Sequence, residues 1–242
     1  QRSEKKLWTD AQDGTPVQML QVIGERAEGE AIIRRIRAGV DSGRYKLADY
    51  AVLYRTNAQS RSIEEAFVHY GVPYRVVGGV RFYDRKEIKD ILAYLRLIFQ
   101  PDDRVSFERI VNTPTRGIGA KSVQVFTAWQ QPSGLSIIAA LERAEECAEL
   151  TPKARKTLAE LGDILSSLQA VGEDATVAGL IDSLLRRIDY LHFLDDGTPQ
   201  GEARQENVKE LLSVAQEYQD AGLAGFLEEV ALVSDLDSAD FS

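Results

Sequence analysis

Two glycines flank one apolar residue at Gly117-Ile118-Gly119, directly before a helix-like run over residues 120–129. Glycine lets the backbone approach a ligand closely, and the free N–H groups at the start of a helix attract anions. Ile118 can anchor the turn in a core while Arg116 and Lys121 face outward. The pattern favours a loop that holds a nucleic-acid backbone without reading bases. An ordinary turn between two helices has the same pattern, so both interpretations stay open.

A second group of polar residues, Arg55, Asn57 and Arg61, follows the short apolar run 50–54. The run predicts a buried parallel strand, and a helix is predicted after it, so these side chains would lie at the carboxyl edge of a sheet. Arginine pairs with phosphate through two hydrogen bonds, and asparagine can bond sugar or phosphate. The alternative is structural: Asn57 caps the helix, and Arg55 pairs with a nearby glutamate.

A third group begins with Gly78-Gly79 and continues into a helix predicted over residues 84–99. Lys86 and Lys89 are three residues apart and share one face of that helix, where they could contact duplex phosphates. Acidic residues are interleaved with them, so pairing within the helix is the alternative, worth a few tenths of a kcal/mol per pair. The two glycines can serve as a hinge because glycine tolerates backbone rotation, or they can form a plain tight turn.

These three blocks, in this order and at this spacing, resemble the UvrD/PcrA/Rep group of superfamily 1 DNA helicases, as does Lys6-Leu7-Trp8-Thr9. The resemblance covers essentially the whole chain and is densest from Asp49 to Lys121. It implies an ATP-driven motor that translocates 3′ to 5′ on single-stranded DNA and unwinds duplex DNA, with a role in DNA repair. It implies single-strand contacts by Arg55, Asn57 and Arg61, a hinge at Gly78 and Gly79, and duplex contacts by the loop residues Thr115, Arg116, Gly117, Ile118, Gly119 and Lys121. Lys86 and Lys89 are added as candidate duplex contacts because of their shared helix face.

The motifs of an ATP site are missing from the chain. It contains no Gly-x-x-x-x-Gly-Lys-Ser/Thr sequence, and no Asp-Glu pair on an apolar strand. By comparison with the family, we expect an internal segment that begins after the first motor core and ends within the second motor domain. ATP and Mg²⁺ would then serve the complete helicase, and this segment would bind neither and have no catalytic residue.

Hydrophobic periodicity divides the chain into two parts. Strands are predicted at 17–23, 50–54 and 73–77, with helices at 27–40 and 60–70 between them, which is typical of βαβ units and a parallel sheet. From residue 84 onward nearly every periodic segment is helical. The predicted fold class is therefore α/β plus all-α. In terms of the resemblance, residues 1–79 form a partial RecA-like parallel sheet (domain 2A), and residues 80–242 form an inserted all-helical domain (2B).

Charge is distributed unevenly. The net charge is −9, yet residues 71–139 carry +4 and residues 140–242 carry −14, so the positive excess coincides with the candidate DNA-binding blocks. The acidic half is a solvated surface or a docking face for a protein. A non-enzymatic helical interaction module is therefore the alternative function, and a steep salt dependence of binding would favour nucleic acid over it.

Composition limits the remaining classes. The single cysteine, Cys147, excludes an intrachain disulfide and any multi-cysteine metal site. No apolar run approaches the ~18 residues of a membrane span. No Gly-x-Ser-x-Gly turn is present, so a stand-alone α/β hydrolase is disfavoured. The expected location is a bacterial-type cytoplasm in association with the nucleoid. The expected partners are single-stranded DNA and its junction with duplex, the remaining helicase domains and repair proteins, with no membrane.

Overall fold

The computed structural model describes residues 10, 14–172, 175–218 and 221–238. The Lys6-Leu7-Trp8-Thr9 match lies outside these residues. The α-helices of the described part, in chain order, are α1 (Glu25–Asp41), α2 (Ser60–His69), α3 (Lys86–Phe99), α4 (Arg104–Ile110), α5 (Ala120–Gln130), α6 (Ile137–Glu142), α7 (Pro152–Gly172), α8 (Val177–Arg187), α9 (Tyr190–Leu194), α10 (Pro199–Glu217) and α11 (Gly222–Ser238). Short 3₁₀ turns occur at Leu47–Asp49, Asn57–Gln59, Phe82–Asp84, Gln131–Ser133 and Ala144–Glu146.

No β-strand occurs in the described part of the chain, so the predicted partial RecA-like parallel sheet is wrong. The segments 16–22, 50–54 and 72–76 have no helical turns, but no backbone hydrogen bond joins one of them to another. The side chains of these segments are unevenly covered: Val17 and Leu53 are 100% and 90% exposed, whereas Val72 is 7% exposed and belongs to the same small core as α1 and α2, against which Tyr50, Val52 and Tyr74 pack. The helix predictions depend only on local sequence, because a helix makes its backbone hydrogen bonds within one segment. The strand predictions failed because a strand also needs a neighbouring strand in register.

The helix pair α1 and α2 forms a small core of its own around Ile33, Ile36 and Phe67. The two helices approach closely at Gly29, where an added Cβ would come within 2.7 Å of the Ala66 Cβ. The amphipathic stripe of α1 therefore faces α2, as the periodicity predicts.

A larger core is built by α3 to α11, and α3 lies at its centre. Ten of the 14 residues of α3 are buried, which is expected of a helix that packs against neighbours on several sides. The helix contacts α4, α7, α10 and α11. The connection between α3 and α4 is short, and Asp103 caps α4 by accepting a hydrogen bond from the Ser106 N–H. Because α4 packs against α3 and Arg116 donates to the hydroxyl of Tyr94 on α3, the Gly117-Ile118-Gly119 loop that follows α4 lies beside α3.

Candidate nucleic-acid interface

The loop between α4 and α5 exposes backbone and buries one side chain. Ile118 is 4% exposed and belongs to the larger core, whereas Gly117 and Gly119 on either side are exposed. Gly117 has φ +75°, a left-handed conformation that favours glycine. An added Cβ on Gly119 would meet no atom within 4 Å, so the space outside this residue is open. The loop therefore offers its main chain to solvent, with the isoleucine as its anchor.

The start of α5 leaves several N–H groups available. The Ser122 and Val123 N–H groups both donate to the Gly119 carbonyl oxygen, at 3.0 and 3.2 Å. The N–H groups of Gly117, Gly119, Ala120 and Lys121 make no hydrogen bond to any described residue. Free N–H groups at the start of an 11-residue helix form an anion-attracting surface, because the helix dipole adds to their partial positive charges.

Two lysines lie beside this backbone without an ion-pair partner among the described residues. Lys121 is exposed in the first turn of α5. Lys153, in the first turn of α7, places its Nζ 3.9 Å from the Cβ position of Gly117. Sequence reasoning missed Lys153, because 36 residues separate it from Gly117 and no local pattern indicates that the two meet. Thr115 is also exposed in the same loop.

Arg116 turns toward the protein and not toward solvent. Its Nη1 donates to the carbonyl oxygens of Ile110 and Pro114, at 2.9 and 3.2 Å, and its Nη2 donates to the Tyr94 hydroxyl at 2.5 Å. The Tyr94 hydroxyl in turn donates to the Thr113 carbonyl oxygen at 2.5 Å. The guanidinium group is therefore half-buried and its donors are largely used within the protein.

A second candidate surface is a cleft of ≈540 Å³ that lies between residues 54–57, residues 79–80, α3 and α10. The structure brings Asn57, Gly79, Lys86 and Lys89 together there, along with the basic side chains of Arg85, Arg109 and Arg204. Lys89 pairs with Asp84 at 2.6 Å, and Arg109 pairs with Asp90 at 2.7 Å. Lys86 is exposed and has no ion-pair partner within the described ranges, which leaves its charge available to an anion.

Arg55 and Asn57 are exposed at the start of the 3₁₀ turn that precedes α2. Gln59 caps this turn, since its Oε1 accepts hydrogen bonds from the N–H groups of Arg55 and Thr56 at 3.0 and 3.1 Å. Neither the Arg55 guanidinium nor the Asn57 amide has a hydrogen-bond partner in the part of the chain that the structure describes. Both side chains are therefore accessible.

Arg61 lies elsewhere, in a buried ionic cluster. Its side chain is 4% exposed and contacts the carboxylates of Glu25 on α1, Glu65 on α2 and Glu210 on α10, at 2.9, 2.6 and 2.5 Å. Burial by itself would lower the pKa of Arg61, but the carboxylates outweigh burial and the net effect is a raised pKa. This arginine ties three helices together, and all of its donor groups face protein carboxylates.

Arg85 makes a second buried link between the two cores. It donates to the Ser60 hydroxyl at 2.7 Å and to the Asn207 side-chain oxygen at 2.8 Å. Burial lowers the pKa of Arg85. Gly78, with φ +76°, and Gly79 lie in the connection between α2 and Arg85. Both are exposed, so the predicted hinge residues are on the surface.

The described part of the protein is thus helical and has an exposed main-chain loop with a lysine on either side. Such a loop can bind the phosphates of a polyanion. The family model for the UvrD-like helicase C-terminal domain matches residues 1–240, and the chain belongs to this family. The ATP-dependent DNA helicase PcrA of Bacillus subtilis (strain 168) is 37% identical over 244 residues, which cover 99% of this chain and 33% of the relative. The protein of the same name from Staphylococcus aureus (strain Mu50) is 36% identical over 247 residues, 99% of this chain and 34% of the relative.

The chain spans about a third of the length of these relatives. Across the described ranges, no helix is both long enough and apolar enough to cross a membrane. Within the same ranges, no three residues of the His, Cys, Asp and Glu types are grouped so that they could hold a metal ion.

Proposed function

We propose that this chain is the DNA-contacting segment of an ATP-dependent DNA helicase that moves 3′ to 5′ along a single strand and unwinds duplex. The observation that carries the proposal is the exposed loop at Gly117-Ile118-Gly119, where four backbone N–H groups have no hydrogen-bond partner in the described part of the chain and the side chains of Lys121 and Lys153 lie nearby. Backbone N–H groups and lysines bind phosphates without reading the base sequence, which suits a motor that works on any duplex. The names of the relatives, ATP-dependent DNA helicases, support the same function.

In this proposal the loop holds the duplex ahead of the fork. Gly117 and Gly119 permit close approach, Thr115 and Lys121 contact phosphates beside them, and Ile118 holds the loop on its core. We assign the single strand to the cleft at Asn57. Arg55, which is exposed two residues before Asn57, would contact phosphate beside the cleft. Lys86 and Lys89 line the same cleft and would contact DNA between the two sites. Arg61 would act by fixing α2 beside that cleft.

The division into a first domain, residues 1–79, and a helical domain, residues 80–242, remains part of the proposal. Two separate cores support it, one on α1 and α2 and one on α3 to α11. Gly78 and Gly79 would then be the hinge between the domains. The buried arginines Arg61 and Arg85 bridge the boundary and would set the angle at which the domains rest.

ATP and Mg²⁺ would be bound by other parts of the complete helicase. The residues present do not fit a nucleotide–metal site, because the sequence has no P-loop and the described residues include no group of metal-ligating side chains. The purified 242-residue chain should therefore hydrolyse no ATP even when DNA is added. Repair proteins as partners and a cytoplasmic, nucleoid-associated location belong to the same proposal.

A matched pair of glycine variants tests the function. Gly117 and Gly134 are both exposed, both have positive φ (75° and 68°), and neither would crowd protein atoms with an added Cβ. Alanine therefore strains both positions to a similar degree. Fluorescence anisotropy with a labelled duplex that carries a 3′ single-stranded tail should show weaker binding for Gly117→Ala and unchanged binding for Gly134→Ala. Equal affinities for both variants and the parent chain would falsify the loop assignment.

A further inference from the structure

We propose that Tyr94, Asn112 and Arg116 form a brace that shapes the Gly117-Ile118-Gly119 loop, and that Arg116 is a positioning residue and not a phosphate ligand. The inference rests on the proposed function, because it concerns how the same loop is made ready for DNA.

The first argument is that the donors of Arg116 are used inside the protein. Its two terminal nitrogens bond the carbonyl oxygens of Ile110 and Pro114 and the hydroxyl of Tyr94. Ile110 is the last residue of α4, where carbonyl oxygens have no partner within the helix, and a cation is favoured at that end by the helix dipole. Reaching a phosphate would break these three bonds and leave the Pro114 carbonyl oxygen without a hydrogen-bond donor among the described residues.

The second argument is that Tyr94 completes the link from the core to the loop. This residue is fully buried in α3, and its hydroxyl accepts from Arg116 while donating to the Thr113 carbonyl oxygen. Burial raises the pKa of Tyr94 to about 12, although the neighbouring Arg116 guanidinium opposes the rise. The phenol therefore stays protonated at physiological pH and keeps donating.

The third argument is that Asn112 determines which loop N–H groups remain free. Its side-chain oxygen accepts from the N–H of Arg116 at 2.8 Å and from the N–H of Ile118 at 3.1 Å. The N–H groups of Arg116 and Ile118 thus point toward Asn112, while those of Gly117 and Gly119 bond no residue that the structure describes. One side chain thereby sorts the loop into inward and outward donors.

A loop held in this way meets a phosphate with its donors already in place. Binding then avoids the entropic cost of ordering the backbone, which is the general advantage of a preorganised site. Loss of the brace should weaken duplex binding without removing any charge that touches DNA. This expectation separates a brace from a ligand.

The salt dependence of binding distinguishes a positioning residue from a phosphate ligand. A side chain that neutralises one phosphate contributes about 0.9 to the slope of log K against log salt on duplex DNA. Tyr94→Phe removes only the hydroxyl, and we expect between about two- and tenfold weaker binding with an unchanged slope, the size of one hydrogen bond. Arg116→Lys should also bind more weakly, because an ammonium cannot satisfy all three acceptors, and its slope should stay at the parent value.

The matched control for Tyr94→Phe is Tyr190→Phe. Both phenols are fully buried, and that of Tyr190 bonds the Asp90 carboxylate at 2.9 Å, away from the loop. Thermal unfolding followed by circular dichroism should show destabilisation of both variants, whereas only Tyr94→Phe should lose duplex affinity. Asn112→Ala, at an exposed position, provides a second variant that removes the brace without disturbing the core.

Three results would overturn the inference. The first is an affinity equal to that of the parent chain for both Tyr94→Phe and Asn112→Ala, and the second is such an affinity for Arg116→Lys. The third is a slope of log K against log salt that is reduced by about one in Arg116→Gln. Lys121→Gln serves as the reference for a true phosphate contact. If Lys121→Gln and Gly117→Ala also bind like the parent chain, the proposed function itself fails. If those two variants bind weakly and the brace variants do not, the brace alone is wrong.

Discussion

Replacing Lys153 by glutamine should remove one phosphate contact from the duplex site. The Lys153 Nζ lies 3.9 Å from the Cβ position of Gly117 and has no ion-pair partner among the described residues, so the substitution breaks no ion pair there. One contact corresponds to a change of about 0.9 in the salt slope. Over a fourfold rise in salt, from about 50 to about 200 mM, the affinity advantage of the parent chain should therefore shrink by about 3.5-fold.

The assay is fluorescence anisotropy of a labelled duplex with a 3′ tail at several salt concentrations. Lys156→Gln is the control, because Lys156 lies on the same helix, carries the same charge and interacts with Glu160 at 3.9 Å. A general loss of positive charge away from the contact is screened over about 8–10 Å and should leave the slope unchanged. Parallel salt lines for Lys153→Gln, Lys156→Gln and the parent would refute a role for Lys153 at the DNA.

Three further outcomes are expected from the geometry. Arg61→Met should lower the free energy of unfolding by about 2–4 kcal/mol in urea titrations, because the Glu210 carboxylate, which is 15% exposed, loses its cation. A loss below about 0.5 kcal/mol would contradict this expectation. Gly162→Ala should cost about 1–3 kcal/mol, because its Cβ would lie 2.4 Å from the Glu142 backbone nitrogen, whereas Gly172→Ala meets ordinary contacts at 3.7 Å and should be tolerated. Because burial raises the pKa of Tyr94 to about 12, the contribution of its neutral phenol to stability is complete below the unfolded pKa of about 10 and is lost as pH rises from about 10 to about 12. The Tyr94 ¹³Cζ resonance, assigned with Tyr94→Phe, should therefore not move between pH 7 and pH 10.

The helices were largely predictable from sequence because their signals are local. Apolar periodicity and breaks at Pro132, Gly134 and Pro152 predict helices over residues 119–131, 135–148 and 152–171. The first and third agree with α5 and α7 within one residue at each end, whereas α6 ends six residues earlier than predicted, at Glu142. The periodicity of residues 176–194 predicts one long helix, but the structure divides this stretch into α8 and α9 at Asp189. That residue has φ +51°, a left-handed conformation that aspartate tolerates better than most residues, and no glycine or proline marks the break.

The sheet could not be predicted reliably, since an apolar run specifies an extended segment but not the strand that pairs with it. Residues 50–54 illustrate this, as they form neither a helix nor a turn and make no backbone hydrogen bond to another predicted strand within the described residues. Among the candidate site residues, the exposed loop was recognisable because glycine spacing is local. The environments of Arg61 and Arg116 were not, because their partners Glu210 and Tyr94 lie 149 and 22 residues away. Charge type alone does not distinguish an arginine that faces DNA from one that faces carboxylates.

Backbone N–H resonances of the ¹⁵N-labelled chain, titrated with a duplex that carries a 3′ tail, test the central claim most directly. If the loop clasps the phosphate backbone, the N–H signals of Gly117, Gly119, Ala120 and Lys121 shift together on binding, and those of Arg116 and Ile118, bonded to Asn112, shift far less. If the duplex binds while those four signals stay in place and shifts occur elsewhere, the loop is not the DNA-binding site.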